Sequence, residues 1–110
     1  MDTKEIYGVN DLQPFEPTHP GEVLKDELQY RGISQKKFAA TIGMSCTALN
    51  EILNSKRSIS IETAMKIEAA LDIDAKLWIN LQSDYNYHVA KRDRSLMARL
   101  QQIRKVAAML

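Results

Sequence analysis

Few side chains in this chain suit covalent or metal chemistry. Its one cysteine, Cys46, stands far in sequence from its two histidines, His19 and His88. A thiolate nucleophile needs a base partner, and neither histidine lies in a recognisable catalytic context. Two histidines without a cysteine pair do not make a zinc site. Asp72 and Asp74 resemble a carboxylate couple, but capping between two helices explains them. Gly8, Gly21, Gly32 and Gly43 form no phosphate-binding loop. The expectation is therefore a non-enzyme with no metal, no cofactor and no small-molecule substrate. What remains is a set of short polar groups: Ser45, Cys46, Thr47, Asn50, Glu51 and Asn54. Their chemistry is hydrogen bonding to base edges and phosphates.

Those groups need a helix to hold them. Ser34 caps one predicted helix, with Phe38, Ala39 and Ile42 inward. Gly43 supplies the positive φ of a tight turn. Ser45 caps the next, with Leu49, Ile52 and Leu53 inward. The two helices cross steeply, so their contact needs the small Ala39. This is the pattern of a helix-turn-helix, whose second helix enters the DNA major groove. Asn50 fits adenine N6 and N7 in bidentate fashion, and Thr47 a thymine methyl or a phosphate. Gln35 and Ser45 sit at helix N-termini, where backbone N–H groups attract phosphate. Lys36, Lys37, Lys56 and Arg57 flank the pair and supply backbone attraction. Glu51 is repelled by phosphate unless it meets a cytosine amine or a neighbouring base. Double-stranded operator DNA is the expected partner.

The rest of the chain reads as support. Residues 1–18, with Pro14 and Pro17, read as a mobile acidic arm. Residues 19–87 form the expected DNA-binding domain. Its first helix opens at His19-Pro20-Gly21-Glu22, buries Val23, Leu24 and Leu28, and ends at Gly32. Ser60 caps a helix with Ile61, Ala64, Ile67 and Leu71 apolar. Asp74 caps another with the stripe Leu77, Trp78, Leu81 and Tyr85. Residues 88–110 hold an amphipathic helix from Ser95, with Leu96, Leu100, Ile103, Ala107 and Leu110 spaced as a coiled-coil seam. The expected fold class is all-α: five to six helices, including a helix-turn-helix, with a C-terminal amphipathic helix.

Net charge is only +1, but it is unevenly placed. Residues 31–60 carry +4 and residues 91–110 carry +5, whereas residues 1–30 carry −5. A phosphate-facing surface needs local positive charge, not a high total. No apolar run approaches the roughly 20 residues of a membrane helix, and the first residues lack the basic and apolar regions of a signal peptide. A cytoplasmic protein without membrane contact is expected.

One helix-turn-helix reads half an operator, so a two-fold homodimer is expected. Trp78, Leu81, Tyr85, Leu96, Leu100 and Ile103 are its candidate interface.

Residues 34–57 resemble the helix-turn-helix of the phage-repressor-like family, also called XRE or Cro/C1-type. A larger stretch, about 19–87, resembles antitoxins of the HigA type, the group also described as plasmid-maintenance antidote proteins. The resemblance rests on His19-Pro20-Gly21-Glu22, Ile33-Ser34-Gln35, Asn54-Ser55-Lys56-Arg57, Thr63-Ala64 and Leu77-Trp78-Ile79-Asn80-Leu81-Gln82. It implies a dimeric antitoxin that binds a cognate mRNA-cleaving toxin and represses the operon encoding both. It also implies glycine at position 55 in many relatives, where this chain has serine. The acidic arm, with Asp2, Glu5, Asp11 and Glu16, is a candidate contact for a basic toxin. Two alternatives stand beside this reading: a solitary XRE-type regulator without a toxin, and a protein-interaction module that no longer binds DNA.

Overall fold

Each helix start and stop follows from a local hydrogen-bonding solution. In the computed structural model, which describes residues 17–110, the elements are α1 (Pro20–Arg31), α2 (Gln35–Ile42), α3 (Cys46–Leu53), α4 (Ile61–Leu71), α5 (Ala75–Lys91) and α6 (Arg94–Ala107). The described residues contain no strand. The first N–H groups of a helix lack intrahelical partners. Ser34 Oγ accepts from Lys37 N at 3.1 Å, Ser45 Oγ from Ala48 N at 3.0 Å, and Ser60 Oγ from Thr63 N at 3.1 Å. Asp74 Oδ1 accepts from Lys76 N at 2.9 Å. At the other ends, Gly32 and Gly43 take left-handed conformations, with φ of 70° and 69°. Asp72 closes α4 with φ of 58°, so Asp72 and Asp74 are both caps.

One core joins α1 to α5. It is built from Leu24 and Leu28, Phe38, Ala39 and Ile42, Leu49, Ile52 and Leu53, Ala64, Ile67 and Leu71, then Ala75 and Trp78. Trp78 is fully buried. Its indole N–H has no hydrogen-bond partner, a cost its large apolar surface must exceed. α1 packs on α3 and α5, α2 on α3 and α4, and α4 on α5. α6 packs on α5 and contributes no buried residue.

Three details differ from the sequence reading. Ile61 is 64% exposed because it starts α4 beyond the edge of the core; Ile59, in the preceding loop, is buried in its place. Leu77 is exposed because Ala75, Trp78 and Gln82 define the inner face of α5, and Leu77 points off it. α5 runs unbroken to Lys91, and α6 starts at Arg94 rather than Ser95. Asp93 is its cap, accepting from Leu96 N at 3.1 Å.

The His19-Pro20-Gly21-Glu22 block has a packing reason. His19 Nδ1 accepts from Gly21 N at 2.9 Å, so histidine is the N-cap. Pro20 occupies the first helical position, where no N–H is needed. Gly21 lies against α3. A Cβ there would overlap the Ile52 carbonyl oxygen and stand 2.8 Å from its carbon. Tyr85 then packs edge-on to the His19 ring, with centroids 4.8 Å apart.

A helical Gly→Ala ordinarily stabilises by about 0.5–1 kcal/mol. Gly21→Ala is expected to destabilise instead, by about 1–3 kcal/mol, measured by urea unfolding; a gain in stability contradicts the close approach. The same block carries a pH dependence. Burial holds the His19 imidazole below its usual pKa, with Glu22 opposing. The unfolded chain therefore binds this proton more readily. Stability from His19 is full above about pH 6.5 and is lost as pH falls through the lower folded value. His19→Asn keeps a cap acceptor and is expected to flatten the fall in Tm across that window. An equal fall in both proteins overturns the assignment.

Candidate nucleic-acid interface

Packing commits Leu49, Ile52 and Leu53 to the core, which fixes the outward face of α3. Ser45, Cys46, Thr47, Asn50 and Asn54 are exposed there, and Glu51 is half-buried. Gln35, Lys36, Lys56 and Arg57 are exposed on the flanking segments. The expected DNA-facing residues therefore lie on α3 and its immediate neighbours.

Three carboxamides form a connected ridge. Asn50 Nδ2 donates to Gln35 Oε1 at 3.2 Å. Asn54 Nδ2 donates to Asn50 Oδ1 at 3.1 Å and to the Asn50 carbonyl at 2.9 Å. An asparagine amide offers two donors and two acceptor lone pairs. The ridge uses one of each on Asn50 and leaves one of each. A donor and an acceptor side by side are what adenine N7 and N6 require. Gln35 thus reaches across from α2 to orient a residue of α3. Ser34 and Ser45 accept through Oγ as caps, and each keeps a hydroxyl proton to donate to phosphate.

Glu51 and Arg57 do not act separately. Glu51 Oε1 accepts from Arg57 Nη2 at 2.6 Å and from Nε at 2.9 Å. The pair neutralises the one carboxylate of α3, which offsets the repulsion expected of it. It also occupies Arg57, expected to hold phosphate, and leaves Lys36, Lys37 and Lys56 as the lysines beside the ridge. Exposed pairs of this kind contribute about 1 kcal/mol or less, so the pair can open when a stronger anion approaches.

Gln82 is a positioning residue that the apolar periodicity does not reveal. It is buried, its Oε1 accepts from Ile59 N at 2.8 Å, and its Nε2 donates to Asn86 Oδ1 at 3.0 Å. It ties the loop after α3 to α5. In that loop Ser55 adopts φ of 63°, a conformation that favours glycine. The glycine implied for relatives at this position therefore has a backbone reason. A polar residue at an inward position within the Trp78–Gln82 segment was the available signal for Gln82.

The expected dimer residues differ in exposure. Trp78 is sealed in its own core and cannot form an interface without unfolding. Leu81 and Tyr85 are half-buried and line a hollow with Pro17, Thr18, Asp84 and His88. Leu96 and Leu100 are half-buried on α6, and Ile103 is exposed. The expected toxin-contacting acids Asp2, Glu5, Asp11 and Glu16 lie outside the described residues. No helix among the described residues is long and apolar enough to cross a membrane.

Comparison with known proteins agrees with this geometry. The helix-turn-helix family HTH_3 matches residues 24–78. Virulence-associated protein I of Dichelobacter nodosus is 34% identical over 77 residues, covering 69% of this chain and 71% of that protein. The Pseudomonas aeruginosa antitoxin HigA, solved with the higBA promoter, is 35% identical with a TM-score of 0.67, covering 80% of this chain and 91% of that one. An addiction module antidote protein of the HigA family from Coxiella burnetii is 29% identical with a TM-score of 0.68, covering 83% and 95%. This chain belongs to the HTH_3 helix-turn-helix family, of the XRE type, and its structural neighbours are HigA-type antitoxins.

Proposed function

We propose that this protein is a cytoplasmic antitoxin-type regulator. It represses its own operon as a DNA-bound homodimer and binds an mRNA-cleaving toxin protein encoded beside it. The observation that carries the DNA half is the Gln35–Asn50–Asn54 ridge on the outer face of α3. It leaves Asn50 with one donor and one acceptor unused, the pair that reading adenine requires. Lys36, Lys37 and Lys56 supply sequence-independent attraction to phosphate. The toxin half is supported by the likeness to HigA-type antitoxins.

The two-fold pair forms beside the reading helices. A groove there is lined by Ser58, Ile59, Ile61, Ile79 and Ser83, and Ile61 and Met65 are exposed one turn apart on α4. A second copy seated there would hold two recognition helices close enough to read half-sites about 34 Å apart.

The DNA reading is tested by fluorescence anisotropy with the promoter of the protein's own gene and a scrambled duplex. Asn50→Ala is expected to weaken promoter binding roughly 5- to 150-fold, the cost of one bidentate base contact. Scrambled binding should be unchanged. Lys36→Ala should weaken both duplexes and flatten the salt slope by about one. Equal loss on both duplexes for Asn50→Ala contradicts a base-reading role. The toxin reading is tested by co-expression with the product of the adjacent gene. Restored growth and co-elution are expected; toxicity unchanged by this chain leaves it a solitary regulator.

A further inference from the structure

α6 presents a surface that the DNA reading does not use. The helix is amphipathic, yet none of its residues is buried. Ile103 is 59% exposed and Val106 57% exposed. With Gln102, Ala107 and Leu110 they line a shallow groove of about 270 Å³ on the far end of the helix. Leu96, Met97 and Leu100 are half-buried where α6 meets α5. The apolar seam therefore begins against α5 and continues uncovered.

Charge limits what can cover it. From Arg94 to Leu110 the chain carries Arg94, Arg99, Arg104 and Lys105 and no acidic residue. A second α6 would bring the same four cations to the contact and no anion. An occupant that is both acidic and apolar gains on both counts.

The chain contains one such segment. Residues 1–16 carry Asp2, Glu5, Asp11 and Glu16 against the single cation Lys4. Between them stand Ile6, Tyr7, Val9, Leu12 and Phe15. The described chain begins beside the same helix that α6 follows: Pro17 and Thr18 sit in a hollow with Leu81, Asp84, Tyr85 and His88 of α5. Sixteen residues span up to about 55 Å when extended. The 14 residues of α6 rise only about 21 Å. The arm is long enough to lie along α6.

We infer that residues 1–16 of this chain dock along the exposed Ile103–Val106–Leu110 face of its own α6, with the arm's carboxylates against Arg99 and Arg104. The arm is then an intramolecular cover for α6. This contact is independent of the DNA-reading ridge.

The full chain tests it by NMR. Asn10→Cys in a Cys46→Ser background carries a spin label, and the amides of α6 report its proximity. The signals of Ile103, Val106 and Ala107 are expected to lose more than half their intensity, unchanged on dilution. Glu5→Lys with Asp11→Lys should restore them, and adding Arg99→Glu with Arg104→Glu should reverse that restoration. Circular dichroism of both variants checks that the helices are intact. Intensities unaffected by the label overturn the inference. Broadening seen only when labelled chains are mixed with isotopically enriched unlabelled ones places the arm on a second copy and also overturns it. Concentration-dependent shifts of α6 that persist without residues 1–16 identify a second α6 as the occupant and overturn it as well.

Discussion

The structure turns on one close backbone approach. Gly21, in the first turn of α1, lies so near the Ile52 carbonyl that no β-carbon fits between them. That contact sets the depth at which α1 meets the C-terminal end of α3. His19 caps α1 from within the core, and Tyr85 of α5 holds the His19 ring edge-on. On the other side, Gln82 of α5 holds the Ile59 N–H of the loop that follows α3. The reading helix is thus fixed at its far end by α1 and, through its loop, by α5. Its near end is fixed by the Gly43 turn and the Ser45 cap. A helix of eight residues has little stability alone. Its position comes from these attachments.

The fixed helix then presents amides rather than cations. α3 has no arginine or lysine, and its one carboxylate is neutralised by Arg57. In the proposed complex, specificity and attraction are divided between different residues. Asn50 and its carboxamide neighbours supply directional hydrogen bonding, while the lysines on α2 and on the loop after α3 supply charge. Such a division would let a chain of net charge +1 carry the proposed DNA-facing surface. Phosphate contacts position a protein, and base contacts specify its site.

Much of this was legible in the sequence because it depends on local chemistry. Ser34, Ser45, Ser60 and Asp74 declare helix starts by residue type, and Gly32 and Gly43 declare ends. The inward residues of α2 and α3 follow from helical spacing, which also leaves the outer face by subtraction. What was not legible depends on neighbours distant in sequence. Gly21 reads as an ordinary glycine until Ile52 is placed against it. Gln82 stands in the sequence only as one polar residue of the Leu77–Gln82 block until the Ile59 N–H is placed beside it. Ile61 and Leu77 fit an apolar stripe, but the core ends before it reaches them. Trp78 suggested an interface because a large aromatic suits both a core and a partner, and only its burial separates the two. The link from Glu51 to Arg57 spans the end of a helix, where no periodic rule applies.

The central claim is that the carboxamide ridge of α3 meets the bases. The side-chain NH2 signals of Gln35, Asn50 and Asn54 report on it directly by NMR during titration with the promoter duplex. The Asn50 signals are expected to shift most, and those of Gln35 and Asn54 to follow, while a scrambled duplex moves only backbone signals at the Ser34 and Ser45 caps. Carboxamide signals that stay in place as the promoter complex saturates would contradict the claim.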